Sequence, residues 1–151
     1  MRIERAGPED AAAVLAVQLL AFGQVALEYS VDDLPPLRET VETVREAILR
    51  HVVLKATEDG LVVGAVRGQV SGATCHVGRL VVRPDHEGRG VATALMHALE
   101  EAVGDVARLE LFTGDRSERA LSLYGRLGYR EYDRRPAGPG VDLVYLEKRV
   151  P

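Results

Sequence analysis

Between Leu80 and Leu95 the chain reads Leu-Val-Val-Arg-Pro-Asp-His-Glu-Gly-Arg-Gly-Val-Ala-Thr-Ala-Leu. A β-branched run stops at Pro84, two glycines follow, and apolar residues at helical spacing begin at Val91. This is a strand, a tight turn and a helix start. Such a turn aims unpaired backbone N–H groups at one point, and the helix dipole adds partial positive charge there. A pyrophosphate is the natural ligand for that geometry, and glycines let the backbone approach its oxygens without a Cβ in the way. No Gly-Lys-Ser/Thr follows the glycines, so the segment is not a P-loop. Nor does Gly88-Arg89-Gly90, followed by Ala92 and Thr93, match the dinucleotide fingerprint.

A second informative segment is Ser117-Glu118-Arg119-Ala120-Leu121-Ser122-Leu123-Tyr124-Gly125-Arg126-Leu127-Gly128-Tyr129, an amphipathic helix ending in Gly-Tyr. Together the two segments resemble the GNAT superfamily of acetyl-CoA-dependent N-acetyltransferases. The first is similar to its Q/R-x-x-G-x-G/A coenzyme loop, with Gly90 and Ala92 in the small-residue places. The second is similar to its A-x-x-x-Y-x-x-x-G-[FY] helix through Ala120, Tyr124, Gly128 and Tyr129. The chain departs at Glu87, where the family has Gln or Arg, and at Ser117, where an Asn often meets the coenzyme. Glu87 is expected to point into water and to suit the helix N-terminus.

The resemblance implies transfer of the acetyl group of acetyl-CoA to a primary amine of a small molecule or peptide, by direct attack without an acyl-enzyme. It places the coenzyme where the strands Cys75–Arg83 and Arg108–Thr113 splay apart. Backbone groups of Leu80, Val81 and Val82 would pair with the pantetheine arm. One N–H there would polarise the thioester carbonyl. Gly88, Arg89, Gly90, Val91, Ala92 and Thr93 would hold the pyrophosphate, with Ser117 and Tyr124 also at the coenzyme. Tyr124 would donate a proton or a hydrogen bond to the departing thiolate. Its other reading is a core tyrosine with a satisfied hydroxyl.

A base for the acceptor ammonium is sought among residues that titrate near neutrality. His76, at the start of the cleft strand, suits that task. Glu110 and Glu28 are weaker alternatives, a water chain is another, and alternation along its strand sets Glu110 opposite Leu109 and Leu111, towards solvent. His86 sits in the coenzyme loop. Cys75 and His76 are strand neighbours facing opposite ways, so they form no Cys–His pair, and Cys75 is read as a small buried residue. A non-catalytic acyl-CoA-binding or sensor module on the same fold is the alternative to an enzyme.

The elements that must position these residues follow from periodicity. Arg2–Arg5 reads as an edge strand; a helix begins at Pro8 and stops at Gly23. Another follows Pro35-Pro36, with Leu37, Val41, Val44 and Ile48 on one face and a Glu46–Arg50 pair on its outer side. Strands are expected at 52–57, 61–70, 75–83, 108–113, 129–134 and 141–149, the last two joined by the turn 136–140. Helices are expected at Val91–Ala102, closed by Gly104, and at Ser117–Leu127. The order β α α β β β α β α β β describes an α/β protein with a mixed, mostly antiparallel sheet of about seven strands and four helices, in a single domain over residues 1–151.

With 151 residues and a net charge of -4, the chain lacks the basic stripe of a nucleic-acid binder. One cysteine excludes an internal disulfide framework and a four-cysteine zinc site, and no metal is expected. No apolar run is read as approaching a membrane span, and the amino terminus is not read as a secretory signal, so the expected location is the cytoplasm. Only Lys55 and Lys148 are lysines and asparagine is absent, a skew that suggests high-GC bacterial coding. Acceptor specificity is expected around Phe22–Pro36, where Glu28, Asp32 and Asp33 suit a cationic amine, and in the Arg134–Val141 turn. A contact through the last strand leaves room for a homodimer.

Overall fold

Pro8 lacks an amide hydrogen, and the residues after it form a single 3-10 turn, Pro8–Asp10, in which the Asp10 carboxylate accepts from Gly7 N–H (2.8 Å). In the computed structural model, which describes residues 1–151, helix α1 then runs from Ala11 to Glu28. The expected stop at Gly23 does not occur. Gly23 is interior, with nothing within 4 Å of where a Cβ would stand, and a helical glycine costs only about 1 kcal/mol against alanine. The apolar side chains on either side carry the helix through. Pro8–Glu28, 21 residues, is long and apolar enough by length and composition to cross a membrane, contrary to the reading above. In this fold its face Val14, Leu15 and Val17 is buried.

Pro35–Arg38 is likewise a 3-10 turn. Helix α2, Val41–Arg50, starts later than expected because Thr40 supplies the cap. Its hydroxyl accepts from Thr43 N–H (3.3 Å), and the Thr43 hydroxyl accepts from Thr40 N–H (2.9 Å). Leu37 therefore lies outside the helix. Glu46 and Arg50 do pair, at 3.6 Å on the exposed side.

The strands are β1 Arg2–Arg5, β2 Val52–Glu58, β3 Leu61–Ser71, β4 Thr74–Val82, β5 Arg108–Gly114, β6 Arg130–Gly138 and β7 Val141–Arg149. They are hydrogen-bonded in the order β1-β2-β3-β4-β5-β7-β6. Pairs β1–β2, β2–β3, β5–β7 and β6–β7 are antiparallel; β4–β5 is parallel. With α3, Val91–Ala102, and α4, Glu118–Arg126, this is the mixed seven-stranded, four-helix architecture read from the sequence. Strand β6 runs to Gly138, longer than expected, so the final turn is only Pro139–Gly140.

The chain divides into two units, Met1–Gly68 with Arg79–Gly104, and Gln69–Gly78 with Asp105–Pro151. In the first, Val14, Val17, Val44, Ile48, Val53, Val62, Ala65 and Val81 form one buried cluster. Each such valine or isoleucine contributes about 1.5–3 kcal/mol on leaving water. In the second, β5 alternates: Leu109 and Leu111 are buried, and Leu111 sits opposite the buried Leu146 of β7. Glu110 and Phe112 take the other face.

Candidate active site

In the first unit, Leu80, Val81 and Val82 end β4, and Arg83 N–H donates to Val63 O (2.7 Å). Pro84–His86 forms a short 3-10 turn. Arg83 and His86 both reach the Asp85 carboxylate, at 3.1 and 2.8 Å, and the guanidinium above all pulls its pKa down to about 2. His86 is thereby committed to an acidic neighbour. Glu87, Gly88, Arg89 and Gly90 are exposed. Gly88 (φ 77°) and Gly90 (φ 81°) take left-handed conformations that disfavour any side chain, and open space surrounds the missing Cβ of Gly90. The first helical bond of α3 runs from Ala94 N–H to Gly90 O (3.0 Å), which leaves the N–H groups of Val91, Ala92 and Thr93 outside the intrahelical ladder. Backbone donors, glycine clearance and the dipole of a helix three turns long thus coincide, the requirements of a pyrophosphate seat.

The tight start of α3 depends on Gly64 of β3, which the sequence reading passed over. A Cβ there would lie 2.9 Å from Val81 O, 2.9 Å from Val91 Cγ1 and 3.1 Å from Leu95 Cδ1. Also unforeseen is a polar cluster around Glu39. Its carboxylate accepts from Gln18 Nε2 (2.6 Å), from Arg67 Nη1 and Nη2 (3.2 and 3.1 Å) and from Arg79 Nε (3.2 Å). Burial pushes the Glu39 carboxyl up, but the Arg67 and Gln18 hydrogen bonds outweigh it and hold the group below its ordinary 4.5. The cluster ties the segment before α2 to β3 and to Arg79, whose φ of 53° is unusual for a side-chain-bearing strand residue. Gln18, the sole polar side chain on a buried stripe of α1, was the available signal.

In the second unit, His76 and Glu110 face each other across the parallel β4–β5 register. His76 Nδ1 lies 2.6 Å from Glu110 Oε1. The other carboxylate oxygen accepts from Arg108 Nη2 (2.6 Å) and Tyr132 OH (2.7 Å), and Arg108 also reaches Glu147 (2.5 Å). Glu110 is therefore not the solvated side chain expected from alternation. Burial pushes its carboxyl up, yet the Tyr132 and Arg108 hydrogen bonds prevail and hold it below 4.5. With Val77, Leu111, Phe112 and Tyr145, the His76–Glu110 pair lines a pocket of about 120 Å³.

Cys75 is fully buried, and burial pushes its thiol up to about 11, so it is a packing residue as expected. Tyr124, on α4, is 7% exposed with its ring edge-on to Tyr129 at 5.9 Å. Burial pushes its phenol up to about 12. Ser117 precedes α4 without capping it through its side chain.

The profile of the Acetyltransferase (GNAT) family matches residues 19–129, which include both the turn into α3 and the helix of Tyr124. The chain belongs to the GNAT family. Among solved structures, this GNAT protein superposes on the PaiA N-acetyltransferase of Thermoplasma acidophilum in complex with coenzyme A, with a TM-score of 0.82 and 16% identity over 99% of this chain and 100% of that one. A GNAT-family acetyltransferase from Streptococcus pneumoniae gives 0.81 at 21% identity, covering 99% of both chains. The ribosomal-protein-S18-alanine N-acetyltransferase of Escherichia coli gives 0.79 at 20% identity, over 98% and 92%. At these identities the likeness is one of fold. The UPF0157 protein YqkA of Bacillus subtilis is 25% identical over 141 residues, 91% of this GNAT chain; the chain spans 40% of the length of that relative.

Proposed function

We propose that this GNAT protein, acting as one domain over residues 1–151, transfers the acetyl group of acetyl-CoA to a primary amine in a ternary complex. The observation that carries the reading is the turn Gly88–Gly90, with its left-handed glycines and the unpaired N–H groups opening α3. A solved neighbour on the same fold holds coenzyme A, which supports the same ligand here.

In this reading Gly88, Arg89, Gly90, Val91, Ala92 and Thr93 bind the pyrophosphate, and Leu80, Val81 and Val82 offer backbone groups to the pantetheine arm. Ser117 contributes a hydroxyl to the coenzyme. The amine nitrogen attacks the thioester carbonyl, a C–N bond forms, and the C–S bond breaks to release CoA thiolate. Tyr124 offers its phenol to the departing thiolate. Since burial keeps that phenol protonated throughout the physiological range, it serves as donor to the leaving sulfur and never as base. His76, partly exposed on β4, accepts the proton of the acceptor ammonium.

A screen for CoA-thiol release over small amines, polyamines, aminoglycosides and peptide amino termini tests this reading. Release that requires both an amine and the turn into α3 is expected. Thermal stabilisation by acetyl-CoA with no release across the whole panel would instead support a binding module.

A further inference from the structure

We infer that Glu110 is the positioning residue that fixes His76 as its Nδ1–H tautomer, leaving Nε2 as the base for the acceptor amine in the pocket walled by Phe112 and Tyr145. This rests on the acetyl-transfer reading above and extends it to a residue placed within the second unit alone.

The geometry is restrictive. A nitrogen 2.6 Å from a carboxylate oxygen cannot present a lone pair to it, because two lone pairs at that separation repel; a proton must lie between them. Glu110 cannot supply that proton. It is a carboxylate at neutral pH, and Arg108 and Tyr132 both donate to its other oxygen. The proton therefore sits on His76 Nδ1. Free neutral imidazole carries its hydrogen on either nitrogen, and the partner of one nitrogen sets the state of the other. Glu110 meets the ring through Nδ1, and the ring borders the pocket.

The carboxylate is itself held. Arg108 spans Glu110 and Glu147, and its guanidinium lies over the Tyr132 ring at 5.2 Å. Tyr132 is reached because β6 has an irregular register between Glu131 and Asp133. Phe112 and Tyr145, their rings tilted by 38° with centroids 5.4 Å apart, lie beside the pair and present aromatic surface to whatever carries the amine. In the reaction the ammonium gives one proton to Nε2, and the freed nitrogen forms the C–N bond as the C–S bond breaks. A second nitrogen proton leaves to balance the proton taken up by the CoA thiolate, and the proton on His76 passes to solvent.

Two-dimensional ¹H–¹⁵N spectra of the histidine rings in the intact protein, assigned by loss of the His76 signals in His76→Ala, test the tautomer without any substrate. The expected result is an Nδ1–H pattern for His76 that is lost in Glu110→Gln. With an amine found by the thiol-release screen, Glu110→Gln is expected to lower kcat about 10–100-fold. KM for acetyl-CoA should stay within about twofold, and added imidazole should partly rescue His76→Ala, whose side chain is half exposed. An Nε2–H tautomer in the wild type overturns the proposal, as does an unchanged kcat in Glu110→Gln. If Glu110→Gln fails to fold, the wild-type tautomer and the His76→Ala rescue still decide. A protein with the Nδ1–H tautomer that acetylates no amine would refute the transferase reading and the base role with it.

Discussion

Replacing Gly64 by alanine probes how closely the proposed coenzyme turn is packed. The new Cβ would stand 2.9 Å from Val81 O and from Val91 Cγ1, where comfortable contacts begin near ~3.5 Å, so the neighbours must retreat by about 0.6 Å. Val91 and Leu95 are 2% and 0% exposed and have nowhere to go, while Val81 O belongs to the backbone. Overpacking of this kind costs about 1–3 kcal/mol, and alanine returns about 0.5–1 kcal/mol of the entropy that glycine loses on folding. The net loss is therefore about 0–2.5 kcal/mol, or a Tm lower by up to about 10 °C for a chain of this size. Gly23→Ala is the matched control: it lies in α1 with nothing within 4 Å and should stabilise by up to about 1 kcal/mol. Urea and thermal unfolding of both variants, with coenzyme A titrated calorimetrically, provide the measurement. Because the clash involves Val81 and Val91, Gly64→Ala should also weaken coenzyme binding about threefold or more, whereas Gly23→Ala leaves it unchanged. A Gly64→Ala protein as stable as wild type, with full coenzyme affinity, would show that this packing does not set the turn.

Tyr124→Phe should lower turnover while leaving acetyl-CoA affinity nearly intact; unchanged turnover at saturating substrates would remove the hydroxyl from the mechanism. Glu39→Gln leaves Arg67 and Arg79 facing a neutral amide and should cost about 1–3 kcal/mol at pH 7 by urea denaturation. Because the folded Glu39 carboxyl lies below 4.5, its contribution is fully present above that pH and disappears as pH falls through the folded value, so wild-type and variant stabilities should converge in acid. Equal stability of the two at pH 7 would argue against the cluster as a tie. Cys75, with its thiol pushed up to about 11, carries about one part in a thousand of thiolate at pH 8 and should resist alkylation until the protein unfolds; rapid labelling of the native chain would contradict its burial.

Local patterns carried much of this protein. The period change at His51, the Pro84 stop and the Gly88-Arg89-Gly90 turn are short-range features, because strand alternation, proline's missing donor and glycine's freedom are properties of neighbouring residues. The seven strands, the α3 start and the left-handed glycine turn before it were legible on that basis. Helix ends were less so: Gly23 reads as a stop but is carried through by apolar packing, and α2 waits for Thr40 because a cap hydroxyl outweighs the prolines before it.

Tertiary structure alone decided which polar groups distant in sequence meet. Nothing local announces that Glu39 gathers Gln18, Arg67 and Arg79 from three other elements, or that Gly64 makes room for Val91. Alternation correctly turned Glu110 away from Leu109 and Leu111 but left it in water; the β4–β5 register brought His76 beside it, and the β6 irregularity brought Tyr132. Alternation specifies a face, whereas the partner on that face is set by strand pairing between residues far apart in the chain, and it is such pairing that turns a solvated carboxylate into one that can orient a histidine.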